Sequence, residues 1–261
     1  MRWFSLAIIA AAVFTAAACK SGKLNVFTPQ QDLELGRQVS AEIESNRTEY
    51  PILPEQGNEE VYRYVRGIVN KLLSSGKVAY RSEFAWQVKI IKDDKTLNAF
   101  ATPGGFIYVY TGLIKFLASE DELAGVLGHE IAHSAQRHST QQMTQVYGIS
   151  ALLSIVTGKA DPGLMQQIAV GLLSLRFSRG HETEADTYSV IYLCETNYNA
   201  AGAAGFFEKI EGQAASGPEF LSTHPNPGNR IEAIKAKARE LGCRGNATNR
   251  AEYERIKQLI R

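Results

Sequence analysis

The sequence predicts an α+β fold that is mainly helical and contains a small antiparallel sheet. Period-two alternation of apolar residues, typical of strands, is confined to residues 86–110. Before this region, and almost everywhere after Ser119, apolar residues recur at helical spacing. A sheet inserted early in a helical chain, without a Pro/Gly-rich linker, predicts one domain rather than two.

The bulk composition limits the classes of partner. The 261 residues are 44% hydrophobic and include 28 Lys and Arg against 27 Asp and Glu, which gives a net charge of +1. This is ordinary for a globular chain with a sizeable core. Because positive charge is not in excess, we expect no nucleic-acid partner.

The first nineteen residues are typical of a targeting signal. Arg2 precedes an apolar run over residues 3–14, and small residues lead up to Cys19. This pattern indicates a secretory signal, and the run is too short for a stable membrane span. A cysteine directly after three alanines also resembles a bacterial lipoprotein signal. We therefore predict a signal peptide over residues 1–18 and lipidation of Cys19. A plainly secreted protein and an uncleaved anchor are the alternatives.

The predicted lipid places the mature chain, residues 19–261, in the periplasm of a bacterial envelope, in contact with a membrane. Lys20, directly after the lipidated cysteine, favours the outer membrane. With Cys19 lipidated, the two remaining cysteines form an even pair. An oxidising compartment then favours a disulfide between Cys194 and Cys243.

The first predicted helix begins at Thr28, which forms a capping box with Gln31 around a proline at the first helical position. It extends to about Ser45, and apolar residues at helical spacing within 61–72 predict a second helix. Turn residues then separate short extended runs, which predict strands at 86–91, 98–101 and 106–110.

The rest of the chain is predicted to be helical. Ser119 and Glu122 form a capping box for the helix that follows. Two apolar stretches, 149–156 and 168–175, are too short to cross a bilayer. Further helices are expected at about 163–178, 181–195, 200–212, 228–241 and 249–260.

The helix after Ser119 carries a metal-binding pattern. Residues 129–133 have the form H-E-x-x-H, and positions i and i+4 of a helix share a face, so that His129 and His133 can reach one ion. Glu130 is rotated by about 100° from that face and suits the base that takes a proton from a metal-bound water. Apolar neighbours favour a core-facing helix over a pair of solvated histidines.

A catalytic zinc site needs a third protein ligand and an open position. Glu182, Glu184 and Asp186 are the acidic candidates further along the chain. Glu182 and Asp186 are four residues apart and share a helix face. Glu182 could therefore bind zinc while Asp186 accepts the outward N–H of a ligand histidine. Glu184 points elsewhere and is the alternative ligand.

Together these residues resemble the zinc metallopeptidases of the CAAX prenyl protease and HtpX family. Four separated motifs match in order, over about half of the chain. Because we find no spans after the signal and no appended helical repeats, we expect the chain to resemble the small bacterial lipoprotein members. The motifs are residues 98–105 (NAFATPGG), residues 129–138 (HEIAHSAQRH), Glu182-x-x-Ala185-Asp186, and His224-Pro225 followed by Arg230.

The resemblance implies roles for the matched residues. It implies Glu182, rather than Glu184, as the third ligand of one Zn²⁺. It implies that His224 and Arg230 face the metal, with His224 either steadying the oxyanion or occupying the open position of zinc as a latch. It also implies that the strand at 106–110 binds substrate by its edge. The implied substrate-binding residues are Asn98, Phe100, Gly104, Gly105, Phe106, Ile107 and Tyr108. We expect His138 to be structural and assign no role to His181.

These observations predict a zinc endopeptidase of the gluzincin type. Glu130 would activate the water, and His224 or Arg230 would stabilise the oxyanion. Because a strand edge binds extended chains, we expect unfolded or misassembled envelope proteins as substrates.

Two alternatives remain open. The protein could be a latched, inactive zinc-binding chaperone or scaffold for envelope proteins. It could also be a latent hydrolase in which residues 143–178 form a lid over the cleft, although this segment could equally be core.

Overall fold

The computed structural model describes residues 24–147, 152, 154, 155, 157, 159, 161–211, 219–225 and 228–260. The predicted signal peptide, Cys19 and part of the predicted lid lie outside these residues. Over the described part of the chain, the mainly helical α+β class is confirmed.

Most helices follow the predicted positions, but the one predicted at 163–178 ends at Leu173, and the helices at Thr111–Phe116, His138–Val146 and Phe220–Thr223 were not predicted. Among the described residues, no helix combines the length and the apolar character that a membrane span requires. The helices are α1 Pro29–Ser45, α2 Glu59–Leu73, α3 Thr111–Phe116, α4 Glu120–Ala135, α5 His138–Val146, α6 Pro162–Leu173, α7 Arg179–Cys194, α8 Gly202–Glu211, α9 Phe220–Thr223, α10 Arg230–Glu240 and α11 Arg250–Leu259.

The two predicted helix starts differ in outcome. At α1 the capping box is confirmed, because Thr28 Oγ1 accepts from the Gln31 amide at 3.2 Å and Gln31 Oε1 accepts from the Thr28 amide at 2.7 Å. At α4 the predicted capping box is wrong. The Ser119 hydroxyl donates to Asp121 at 2.5 Å, and Glu122 accepts from the Ala118 amide instead. The acidic first turn offers Ser119 a nearer acceptor.

The sheet consists of β1 Gln87–Ile91, β2 Ala99–Thr102 and β3 Phe106–Tyr110, in the order β1-β3-β2. It is mixed rather than wholly antiparallel, because β3 pairs antiparallel with β2 but parallel with β1. The chain reverses before β2 and again at the turn over residues 103–105, so that β3 returns in the direction of β1 and lies between the other strands.

The central strand β3 is buried along its whole length. Its alternate residues face two different cores. Ile107 and Val109 contribute to the main core, which α2, α4, α7 and α8 also build. Tyr108 and Tyr110 contribute to a second core with α1 and α6. Because β3 is enclosed, β2 lies at one edge of the sheet that the described residues form.

Helix α4 packs closely against α7 and α8 because it presents glycines to them. A Cβ on Gly125 would lie 2.2 Å from the Ala203 nitrogen, and one on Gly128 would lie 2.8 Å from Ser189 Oγ. The Ser189 hydroxyl donates to the Gly125 carbonyl at 2.7 Å. This close approach brings the acidic N-terminal part of α7 beside the histidines of α4.

The C-terminal end of α7 is joined to the segment after α10. Cys194 and Cys243, the predicted pair, form a disulfide in the structure.

Candidate metal centre

Four buried side chains converge where α4, α7 and α9 meet. His129 and His133 come from α4, Glu182 from α7, and His224 directly follows α9. One potential ligand atom of each lies within 4.8 Å of those of the others. The structure therefore brings together the three residues predicted to bind zinc and adds His224 to them.

The cluster has the chemistry of a zinc site. His133 Nε2 lies 2.9 Å from His129 Nε2 and 3.3 Å from Glu182 Oε1. The other carboxylate oxygen, Glu182 Oε2, is buried and lies 3.5 Å from His129 Nε2. Two imidazole nitrogens and one carboxylate are a common ligand set of catalytic zinc. These residues therefore fit the metal that the sequence predicts.

The electrostatics favour an ionised Glu182. Burial alone would raise its pKa, but the adjacent His224 and His129 hold the pKa of this carboxyl well below its usual value. Glu184 lies apart from the cluster, where it contacts His138 at 3.1 Å and is 28% exposed. The geometry thus favours Glu182 over Glu184 as the ligand.

The nitrogen of His129 that points away from the other ligands, Nδ1, contacts the buried ion pair of Asp186 and Arg230. This nitrogen lies 2.9 Å from Asp186 Oδ1. The Arg230 guanidinium donates to both oxygens of Asp186, at 2.6 and 2.8 Å, and lies 3.0 Å from Glu182 Oε2. Asp186 therefore occupies the predicted position behind a ligand histidine.

Arg230 faces the ligand cluster, as the resemblance implies. Its Nη2 lies 3.2 and 3.3 Å from the two ring nitrogens of His129, and its guanidinium carbon lies 4.1 Å from the centre of the Phe207 ring. Its charge is used to compensate Asp186 and Glu182, two carboxylates enclosed by α7 and α10. Its Nη1 is buried and makes no hydrogen bond among the described residues, so that the role of Arg230 as an oxyanion donor stays a prediction.

Glu130 is buried and lines a cleft beside the ligand cluster. Burial raises the pKa of the Glu130 carboxyl, while His224 and the Ala101 amide, which donates a hydrogen bond to it, act in the opposite direction. A carboxylate with a raised pKa is a stronger proton acceptor. His224 Nε2 lies 3.7 Å from Glu130 Oε1, so that the two side chains share this part of the cleft.

Strand β2 forms one wall of the cleft. Because the Tyr110 amide donates to the Asn98 carbonyl, the alternation of an antiparallel pair turns the main-chain groups of Ala99 and Ala101 away from β3. The other wall comes from α6 and the residues after it. The lining residues are Asn98, Phe100, Ala101, Thr102, Glu130, Ser139, Leu172, Leu173, Leu175, Phe177, Thr223 and His224.

The predicted substrate edge at β3 is wrong. Phe106, Ile107 and Tyr108 pair with β1 on one side and β2 on the other, so that they offer no free edge. Gly104 and Gly105 adopt positive φ angles of 76° and 85° in the turn, where they pack against α1 and Trp86 rather than the cleft. Of the predicted substrate residues, the cleft contains Asn98 and Phe100.

Sequence reasoning missed Phe177 beside the metal ligands, and it expected His138 to be structural without predicting its contact. Phe177, whose ring centre lies 4.0 Å from that of His133, belongs to no motif and lies between two helices. His138 contacts His133 because Arg137, with φ 61°, ends α4 and redirects the chain. Helical periodicity carries no signal for such a break.

Comparisons with known proteins agree with this geometry. The model of "Peptidase family M48" matches residues 59–238. The mitochondrial metalloendopeptidase OMA1 of Schizosaccharomyces pombe is 32% identical over 179 residues, which are 66% of this chain and 51% of that protein. The putative beta-barrel assembly-enhancing protease of Vibrio cholerae is 31% identical over 56% of this chain and 34% of its own length. The beta-barrel assembly-enhancing protease of Escherichia coli K12 is 29% identical over 58% and 34%. The chain thus spans between about a third and a half of the length of these relatives.

Proposed function

Because the chain belongs to peptidase family M48, we propose that it is a zinc-dependent endopeptidase of the gluzincin type. The observation that carries this proposal is the convergence of His129, His133 and Glu182 on one point beside Glu130, which lines a cleft. We extend the proposal to residues 19–261 as a single domain.

The chain's own residues divide the chemistry between them. A Zn²⁺ held by His129, His133 and Glu182 would supply a Lewis acid that lowers the pKa of a water and polarises a carbonyl. Glu130 accepts the proton of the attacking water and donates it to the leaving amine. His224, beside Glu130, donates a hydrogen bond to the oxyanion.

In this proposal β2, rather than β3, binds and aligns the substrate. The outward main-chain groups of Ala99 and the Ala101 carbonyl pair with an extended peptide, which gives affinity with little sequence preference. Such an edge suits unfolded chains better than compact ones.

The proposed substrates are unfolded or misassembled envelope proteins. This rests on the edge geometry, on the signal-like N-terminus and on the names of the bacterial relatives, which are beta-barrel assembly-enhancing proteases. We propose a periplasmic lipoprotein anchored through Cys19 to the outer membrane. Mitochondrial relatives match as well, so that the location rests on the N-terminal signal.

Casein degradation by the zinc-loaded protein, beside its Glu130→Gln variant, tests the activity. We expect cleavage by the wild type and none by the variant, with one zinc bound in both. Equal cleavage by both would remove Glu130 from the mechanism. A wild type that binds no zinc would contradict the proposal altogether.

A second candidate function is a latched zinc-binding chaperone or scaffold. It is favoured by the position of His224, whose Nδ1 lies 3.2 Å from His129 Nε2 and 3.1 Å from Glu182 Oε1, among the ligand atoms. Four protein ligands would close the site. The His224→Ala variant separates the two roles, because removal of a latch increases turnover of casein whereas removal of an oxyanion donor lowers it.

A further inference from the structure

We propose that His138 and Glu184 orient the zinc ligand His133. His138 contacts His133 directly, and the Glu184 carboxylate acts through His138. This inference rests on the zinc site of the proposed function. It assigns positioning roles to two residues that neither bind the metal nor contact the substrate.

The backbone break between α4 and α5 makes the contact possible. Arg137 adopts the left-handed conformation, and His138 begins the next helix. The His138 ring is fully buried and meets the His133 ring edge-on, with centres 4.9 Å apart and an angle of 78° between the planes. His138 Nδ1 lies 3.0 Å from His133 Nδ1, which is hydrogen-bond distance.

The positions of the protons follow from the metal. When His133 binds zinc through Nε2, its ring is neutral and its single N–H is on Nδ1. This N–H can only donate, so that His138 Nδ1 must accept. The proton of a neutral His138 is then on Nε2, which lies 3.1 Å from Glu184 Oε2. His133 therefore donates to His138, and His138 donates to the Glu184 carboxylate. We call these two hydrogen bonds the relay.

The arrangement explains why Glu184 lies outside the ligand cluster. It is the terminal acceptor of the relay, at a position 28% exposed, whereas His138 and His133 are enclosed. Fixing the tautomer and the ring plane of His133 raises its affinity for zinc without adding a charge to the interior.

The affinity for zinc, measured by competition with a chelator, tests the relay. In His138→Phe the ring shape is kept but the acceptor is lost, and we expect affinity to fall about 10–100-fold. In His138→Asn the amide oxygen can take the place of Nδ1, and we expect a clearly smaller loss. Glu184→Gln keeps an acceptor for His138 but removes the charge, and should lie between wild type and His138→Phe.

His181→Phe is the matched control, because the His181 ring stacks on His138 at 4.4 Å while the two hydrogen bonds of the relay join other residues. We expect its zinc affinity to stay within about twofold of the wild type, against the 10–100-fold loss typical of a ligand's partner. Urea unfolding of the zinc-free forms checks that each variant folds.

A second readout is the ¹⁵N NMR spectrum of the holoprotein, in which His138 should be the Nε2–H tautomer. The Nδ1–H tautomer would overturn the relay. Equal losses in His138→Phe and His138→Asn would also overturn it and leave only packing. If His138→Phe binds zinc as tightly as the wild type does, the relay is contradicted but the proposed function is not. If the wild type binds no zinc, the proposed function is contradicted as well.

Discussion

The two histidines of the H-E-x-x-H pattern are equivalent in the sequence but are held differently in the fold. Behind His129 lies Asp186, 6% exposed, which a buried arginine contacts through two hydrogen bonds. Behind His133 lies His138, whose own partner Glu184 reaches the surface. Equal spacing on one helix therefore gives His129 a carboxylate whose charge is compensated in the interior. It gives His133 a neutral histidine, whose carboxylate partner is partly exposed.

The largest loss of zinc affinity is expected at Glu182, which contacts both His129 and His133. Glu182→Ala removes a ligand and should lower zinc affinity by more than the about 10–100-fold typical of outer partners. Glu184→Ala, two residues away, should stay within that range. Chelator competition measures both, and equal losses would contradict the assignment of Glu182 as the ligand.

The next effect distinguishes the two sides by stability. Asp186→Asn leaves the buried Arg230 without its main partner, and we expect the free energy of unfolding of the zinc-free protein to fall by about 3–5 kcal/mol. The double variant with Arg230→Met removes the unpaired charge but also takes the cation from Glu182, so that it should recover only part of this loss. Urea denaturation measures both variants, and a loss below about 1 kcal/mol in Asp186→Asn would show that charge burial is not the cause.

A smaller loss is expected where α4 meets α8, the helix that carries Phe207 on the His129 side. A Cβ on Gly125 would approach the Ala203 nitrogen to 2.2 Å, so that Gly125→Ala must displace backbone. We expect a loss of about 1–3 kcal/mol in the free energy of unfolding. Gly67→Ala in α2, which has open space around it, is the control and should stabilise the protein by about 0.5–1 kcal/mol. Equal changes in stability in the two variants would show that the close approach at Gly125 causes no strain.

The smallest difference concerns the two aromatic rings beside the centre. Phe207 packs against the charged Arg230, and Phe177 packs against the neutral His133. Leucine at either position loses ring packing, but only Phe207→Leu also loses a cation–π contact, for which we expect an extra cost of about 1 kcal/mol. Thermal or urea unfolding compares the two, and a larger loss at Phe177 would reverse the contrast.

The residues that could be predicted from the sequence share one property. His129 and His133, like Glu182 and Asp186, are four apart on one helix, and helix geometry fixes their common face without knowledge of the rest of the fold. The choice between Glu182 and Glu184 came from the family resemblance. The structure places only Glu182 among the other ligands.

The contacts that the sequence did not predict join residues distant in the chain. The pairing of β3 with β1 decides that β2 is the edge, and no local pattern in the strands encodes that order. Arg230 faces Asp186 because of how α10 packs on α7.

The sequence by itself determined the helical class, the metal-ligand pattern on α4 and the acidic partners on α7, because helical periodicity is a property of neighbouring residues. Only the tertiary structure decided which strand offers its edge, which charge compensates Asp186 and which ring stands behind His133. These follow from strand order, from helix packing and from one left-handed residue at Arg137, each of which is fixed by the whole fold rather than by local spacing.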